Sequence, residues 1–132
     1  MKIRVGEKTT LSKRITANDI IQFAEITGDK NPIHWDDDYA SNTRFKKRIV
    51  HDMLLGGLIS AALGKKTPGP GAIYISQTLN FLAPVFIGDS VEILVEVMSI
   101  RYDKPVVTIK TECKNQNGKI VLEGEAILLI PQ

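Results

Sequence analysis

An acid and an imidazole lie five positions apart in the segment Gly-Asp-Lys-Asn-Pro-Ile-His, where they are Asp29 and His34. The chain has only two histidines, so a candidate acid–base group is easy to locate. Proline fixes its own φ and disfavours α geometry at the preceding residue, so Asn31-Pro32 predicts a bent loop rather than a helix. On such a loop the two side chains can converge on one small molecule. A carboxylate paired with an imidazole is typical of general acid–base catalysis.

The composition is that of one globular domain covering residues 1–132, with 43% hydrophobic and 24% charged residues. The net charge is +2 with basic and acidic residues spread along the chain, which gives no reason to expect nucleic acid as a partner. Cys113 is the only cysteine, so no internal disulfide can form and a cytoplasmic location is expected. No secretory signal is expected after the basic N-terminus. The longest apolar run, residues 53–64, is well below the roughly 20 residues that span a bilayer, so no membrane partner is expected.

Two segments have the sequence pattern of helices. Thr16 followed by Asp19 forms a capping-box pattern, and Gly28 supplies a stop, so a helix is expected between them. From residue 50 to 64 apolar side chains cover every face of a helical wheel, which predicts a helix that is buried all round. The Gly56-Gly57 pair within it predicts a close backbone approach.

The remaining chain predicts a sheet, because short alternating or apolar runs are separated by turn residues. The last four runs follow one another through short turns, which is typical of an antiparallel meander. The expected strands are residues 9–15, 72–81, 91–97, 106–113 and 120–129. One buried helix against such a curved sheet predicts an α+β fold.

Residues 29–34, Asp-Lys-Asn-Pro-Ile-His, resemble the Asp-x-Asn-Pro-x-His motif of the MaoC-like, (R)-specific enoyl-CoA hydratases. The resemblance continues through residues 48–55, 73–81 and 84–89 and spans nearly the whole chain. It implies the hotdog fold, in which an antiparallel sheet wraps a long central helix. It also implies an enzyme of fatty acid metabolism that reversibly adds water to a short-chain trans-2-enoyl-CoA, giving the (R)-3-hydroxyacyl-CoA. A homodimer or higher homo-oligomer is implied as well.

The resemblance implies catalytic roles for Asp29 and His34, which would hold one water between them. One would take its proton while the pair returns a proton to C2, so no cofactor and no metal are needed. Which of the two is the base stays open, because coupled groups share their titration. Ser60 corresponds by resemblance to a hydroxyl that orients the catalytic carboxylate.

Further residues are candidates for substrate binding, each with a structural alternative. Asn31 belongs to the motif loop. Lys65 and Lys66 have the charge to bind the phosphates of coenzyme A, although a solvated basic face is the commoner meaning of such a pair. Leu63 is a candidate for the floor of an acyl pocket, and core packing explains it equally well. His51 is interpreted as a histidine that satisfies backbone groups at a helix start, and the spacing of Cys and His predicts no metal site.

The sequence departs from the family pattern at Asp52, where a glycine would offer its backbone N–H to the thioester oxygen. Aspartate keeps the N–H but adds a carboxylate near developing negative charge. It would also be strained if the position required positive φ. Losing one oxyanion donor typically costs about 10²–10³ in rate. The alternatives are that Asp52 impairs catalysis or that it points away and caps the helix. An impaired acyl-CoA or acyl-carrier-protein binding module and a hotdog thioesterase therefore stay open beside the hydratase.

Overall fold

The computed structural model describes residues 3–130, in which an antiparallel sheet of six strands packs against one long helix. No helix in this range is long and apolar enough to cross a membrane. The elements, in chain order, are β1 (Lys8–Arg14), α1 (Ala17–Thr27), α2 (Pro32–Trp35), α3 (Asp37–Ser41), α4 (Asp52–Lys65), β2 (Ile73–Gln77), β3 (Asn80–Phe81), β4 (Ser90–Ile100), β5 (Val106–Lys114) and β6 (Ile120–Leu129). This arrangement confirms the predicted α+β hotdog fold.

Helix α1 begins and ends where its capping residues predict. The Thr16 hydroxyl accepts a hydrogen bond from the Asp19 N–H at 3.2 Å, and the Asp19 carboxylate accepts one from the Thr16 N–H at 2.8 Å. At the other end Gly28 has φ of 80°, a left-handed conformation that glycine adopts without a Cβ penalty. Because the helix stops there, Asp29 leaves it directly into the turn that carries the motif.

The motif turn differs from the predicted loop. Residues Pro32–Trp35 form the single helical turn α2, and His34 lies on it. Asn31 is its N-cap and has extended ψ of 125°, as a residue before proline should. Proline is tolerated at the first helical position because its missing N–H would have had no intrahelical partner there. The Asn-Pro pair therefore starts a helix here instead of preventing one.

The sheet is not the predicted meander of four consecutive strands. Its order is β1-β4-β5-β6-β2, with β3 also paired to β6. Only β4, β5 and β6 follow one another as a meander, and the predicted strand at 72–81 is split into β2 and β3 on the far side of β6. At this break a Cβ on Gly124 would lie 1.9 Å from the Thr78 carbonyl oxygen. The close backbone approach of this fold is thus at Gly124 and not at Gly56-Gly57.

Helix α4 is buried on one side only. Its inward side chains, Leu55, Ile59, Ala62 and Leu63, are at most 1% exposed and join the core formed with β4, β5 and β6. The opposite face is open within one chain and consists of Met53, Gly57, Ser60 and Gly64. The expectation of a helix buried all round is therefore not met by a single protomer.

Candidate active site

Three side chains from separate elements meet beside the start of α4. Asp29 follows α1, His34 lies on α2, and His51 is the N-cap residue of α4. One ligand-type atom from each lies within 4.8 Å of the other two. Asp29 is exposed, His34 is half-buried and His51 is buried. The predicted pair of Asp29 and His34 is thus brought together, with a third residue added.

The Asp29 turn fixes one carboxylate oxygen and leaves the other free. Oδ1 accepts a hydrogen bond from the Asn31 N–H at 3.3 Å, and the Asp29 N–H donates to the Thr27 hydroxyl at 3.1 Å. Within residues 3–130, Oδ2 has no hydrogen-bond or ion-pair partner. The turn therefore orients the carboxylate while one oxygen stays available to a water or a substrate.

The His34 ring is held by a backbone carbonyl. Its Nδ1 lies 2.8 Å from the Ile49 carbonyl oxygen. A carbonyl oxygen only accepts, so Nδ1 carries the proton and donates it. In the neutral ring Nε2 is then unprotonated, and it has no hydrogen-bond partner among the residues that the structure describes. His34 lies close to Asp29 and, in this tautomer, has one bare ring nitrogen that can accept a proton.

His51 supports both members of the pair. Its Nε2 lies 2.9 Å from the Asp29 carbonyl oxygen, which confirms the interpretation of a histidine that satisfies a backbone group. The sequence did not show that its ring also stacks on His34, with centroids 4.1 Å apart and an angle of 29° between planes. The only available signal was that the chain's second histidine stands directly before Asp52.

Asp52 is the first residue of α4, and the N-cap is His51 rather than Asp52. Lys46 is the one non-glycine residue with positive φ in the described range, so aspartate at position 52 carries no such strain. Its N–H, in the first helical turn, has no acceptor within residues 3–130. Desolvation raises the pKa of the Asp52 carboxyl above its ordinary value, and nearby His34 offsets part of this rise. The position therefore offers both an unpaired donor and a carboxylate close to the imidazole.

The other predicted site residues are not gathered at this point. Ser60 lies eight residues after Asp52, which places it about 12 Å further along α4. It is exposed and makes no hydrogen bond to Asp29 in the described range. Leu63 is 1% exposed and belongs to the core. Lys65 and Lys66 are exposed at the far end of α4. Asn31 shapes the turn, since its side chain accepts a hydrogen bond from the Ile33 N–H at 3.4 Å.

An apolar cleft of about 530 Å³ opens next to the Asp29 turn, and sequence reasoning missed it. Its volume is within the range of small-molecule sites. Thr27, which binds the Asp29 N–H, belongs to its wall, so cleft and turn are continuous. The lining residues are Phe23, Thr27, Met53, Gly56, Gly57, Tyr74, Gln77 and Leu79. The glycine pair therefore leaves space beside α4.

Asp29, His34 and His51 are also a donor set of a kind that binds Zn²⁺, one carboxylate and two imidazoles. The spacing of Cys and His along the chain did not predict this set, because folding brings it together from separate elements. One ring nitrogen of each histidine is occupied by a backbone carbonyl in the structure. The acid–base use of the site needs no ion.

Comparison with known proteins agrees with this geometry. Residues 3–117 match the family model described as MaoC like domain. An "(R)-specific enoyl-CoA hydratase" of Rhodospirillum rubrum is 48% identical, over 98% of this chain and 89% of that protein. A "3-hydroxybutyryl-CoA dehydratase" of Methylorubrum extorquens is 47% identical, over 98% of this chain and 82% of that protein.

Solved structures show the same fold. The (R)-hydratase of Aeromonas caviae involved in PHA biosynthesis superposes with a TM-score of 0.95 at 44% identity, covering 98% of each chain. The R-hydratase of Pseudomonas aeruginosa gives 0.94 at 44% identity, covering 98% of this chain and 83% of that one. The family model matches residues 3–117 of this chain, and the relatives named above cover 98% of it. This chain therefore belongs to the MaoC-like domain family.

Proposed function

We propose that this protein is an (R)-specific enoyl-CoA hydratase that also runs the reverse dehydration of (R)-3-hydroxyacyl-CoA. Relatives named for these two activities are 44–48% identical over 98% of the chain. The observation that carries the proposal is the convergence of Asp29 and His34 beside the start of α4. Oδ2 of Asp29, Nε2 of His34 and the N–H of Asp52 each lack a partner among the residues that the structure describes.

These groups match what water addition to an α,β-unsaturated thioester requires. A water held between Asp29 and His34 attacks C3 and gives up one proton to the pair, and the pair delivers one proton to C2. Negative charge builds on the thioester oxygen meanwhile, and the Asp52 N–H is placed to donate to it. Atoms balance, because one water enters and one hydroxyl and one hydrogen are added across the double bond. No cofactor and no metal take part in this scheme.

The acyl chain is proposed to enter the apolar cleft beside the Asp29 turn. A leucine at Gly57 would reduce its volume, since a Cβ there meets no atom within 4 Å and projects into open space. Gly57→Leu is expected to raise KM for a hexenoyl thioester at least tenfold more than KM for crotonyl-CoA. An equal effect on both substrates, with an unchanged sedimentation coefficient, would place the acyl chain elsewhere.

The protein is proposed to act as a homodimer through β2 and the open face of α4. β2 is an edge strand with an exposed apolar surface, on which Ile73 and Ile75 are 61% and 57% exposed. Unpaired edges of this kind invite pairing with another chain. Ile75→Lys should shift the sedimentation coefficient to that of a monomer. Ile26→Lys, at an 85% exposed position on α1, should leave it unchanged. A monomeric parent protein at micromolar concentration would refute the dimer.

A cytoplasmic location is proposed as well. Cys113 is a free thiol in the described structure, as is usual for proteins of a reducing compartment.

The test is the loss of enoyl-thioester absorbance when the protein is added to crotonyl-CoA, run beside Asp29→Asn. Turnover by the parent protein with a loss of about 10²–10⁴ in the variant is the expected result. Release of free thiol would indicate a thioesterase instead. Binding of crotonyl-CoA without turnover, in the parent and in Asp52→Gly alike, would indicate a binding module.

A further inference from the structure

We propose that His51 is a positioning residue of the hydratase, one that holds the Asp29 turn and fixes the ring plane of His34. The inference rests on the proposed function, because it assigns His51 a role through Asp29 and His34. His51 is 1% exposed, so substrate does not reach most of its surface. Its effect on the reaction is therefore exerted through its two neighbours.

The hydrogen bond of His51 connects α4 to the catalytic turn. Nε2 lies 2.9 Å from the Asp29 carbonyl oxygen, across 22 positions of sequence. The carbonyl only accepts, so Nε2 carries the proton, and the neutral ring then leaves Nδ1 bare. Nδ1 is buried and has no partner among the described residues. Within residues 3–130 the ring therefore makes one hydrogen bond, to the Asp29 carbonyl, and leaves one nitrogen unpaired.

The His51 side chain does not cap its own helix by a hydrogen bond. The side chain of an N-cap residue, usually serine, threonine, aspartate or asparagine, accepts a hydrogen bond from an N–H of the first turn. His51 occupies the N-cap of α4 and makes no such bond. The residue type therefore suits a role at Asp29 better than a role in starting α4.

Stacking restricts His34. The ring centroids of His34 and His51 are 4.1 Å apart, and the angle between the two ring planes is 29°. The ring of Phe23 packs against His51, with centroids 4.7 Å apart. Nδ1 of His34 donates a hydrogen bond to the Ile49 carbonyl. This single bond does not stop the ring from rotating about it, so packing has to limit that rotation. The stacked ring of His51 therefore limits rotation of the His34 ring beside Asp29. A displacement of about 1 Å in such a pair can cost about 10²-fold in rate.

The experiment compares His51→Leu and His51→Gln with the parent protein on crotonyl-CoA. His51→Leu removes the hydrogen bond and should lower kcat about 10- to 100-fold with KM changed less than about threefold. His51→Gln can place an amide N–H near the former Nε2 and should recover at least a third of the lost factor in kcat. Thr9→Val removes a different side-chain hydrogen bond, the one to Thr67 at 2.7 Å, and should leave kcat unchanged.

Two further measurements keep the outcome decisive. In the Asp29→Asn/His34→Ala double background, His51→Leu should add less than about twofold, since neither of the two groups that it positions is left. Nitrogen NMR of the parent should show the Nε2–H tautomer at His51 and the Nδ1–H tautomer at His34, even if crotonyl-CoA is not turned over. A folded His51→Leu protein with kcat within twofold of an active parent, or no recovery by His51→Gln, would overturn the proposal. An inactive parent with both tautomers as stated would instead overturn the hydratase assignment.

Discussion

Replacing Asp52 tests the site most directly, because this residue is where the chain differs from the family pattern. Asp52→Gly and Asp52→Asn both keep the backbone N–H at the start of α4 and both remove the charge. Only glycine also changes the backbone freedom, and Asp52 already lies in helical geometry without positive φ. If charge is what matters, the two variants should behave alike.

The size of the effect follows from the position of the carboxylate. A thioester oxygen that accepts the Asp52 N–H at about 2.9 Å lies about 5 Å from the carboxylate of the same residue. Two unit negative charges at that distance repel by about 0.8 kcal/mol in water and about 3.3 kcal/mol at an effective dielectric constant of ~20. These energies correspond to about 4-fold and about 250-fold in rate. Asp52 is exposed yet desolvated enough to raise its pKa, so a gain of about 10-fold in kcat is expected for either variant.

The pH dependence supplies the matched control. Above the raised pKa of Asp52 the parent carries the charge, and the ratio of variant to parent kcat should be at its largest. As pH falls through that pKa the parent loses the charge, so the ratio should approach one. Because folding raises this pKa, the charge opposes folding, and its removal should not lower the stability at neutral pH. Rates within twofold of the parent from pH 5 to 9 would show that the carboxylate points away from the reacting oxygen.

Three further perturbations test other parts of the structure. Asp29→Asn and His34→Ala should each lower kcat by about 10²–10⁴ with an unchanged melting temperature, measured by crotonyl-CoA turnover and calorimetry; a rate near that of the parent would remove that residue from the site. Burial, with a smaller effect of the adjacent Glu112, raises the pKa of Cys113 to about 12. The thiol should therefore not react with a disulfide reagent at pH 8 until denaturant unfolds the chain. Prompt reaction in buffer would contradict its burial. Gly124→Ala would place a Cβ 1.9 Å from the Thr78 carbonyl oxygen. It should lower the free energy of unfolding in urea by at least about 1–3 kcal/mol. An unchanged stability would contradict the close contact between β6 and the segment that joins β2 to β3.

Local signals in the sequence predicted most of the elements, because the groups that determine them are neighbours in the chain. The capping box of Thr16 and Asp19 and the stop at Gly28 locate α1 within a residue. The Asn-Pro pair was misread because proline excludes a helix interior yet suits a first helical position, and the sequence alone does not say which applies.

The pairing of β2 with β6 could not be read from order along the chain. Turn residues predict which strands form hairpins, as β4, β5 and β6 do, but β2 pairs with β6, from which β4 and β5 separate it in the chain. The same limit applies to the site. Asp29 and His34 share one motif and were found together, whereas His51 joins them only through the contact of α4 with the turn, 22 positions away.

The open face of α4 relates the apolar pattern of this helix to the proposed assembly. Hydrophobicity on every side predicts burial on every side, and one protomer buries only the side that carries Leu55 and Ile59. The other side carries Met53, Gly57 and Ser60, and the exposed apolar strand β2 presents a second uncovered surface. A sequence is selected in its functional assembly, so a face that stays uncovered in one chain is consistent with the pattern when a second chain covers it. The prediction for α4 is wrong for the protomer and would hold only in the proposed homodimer, where Ser60 would lie at the interface instead of orienting Asp29 within one chain.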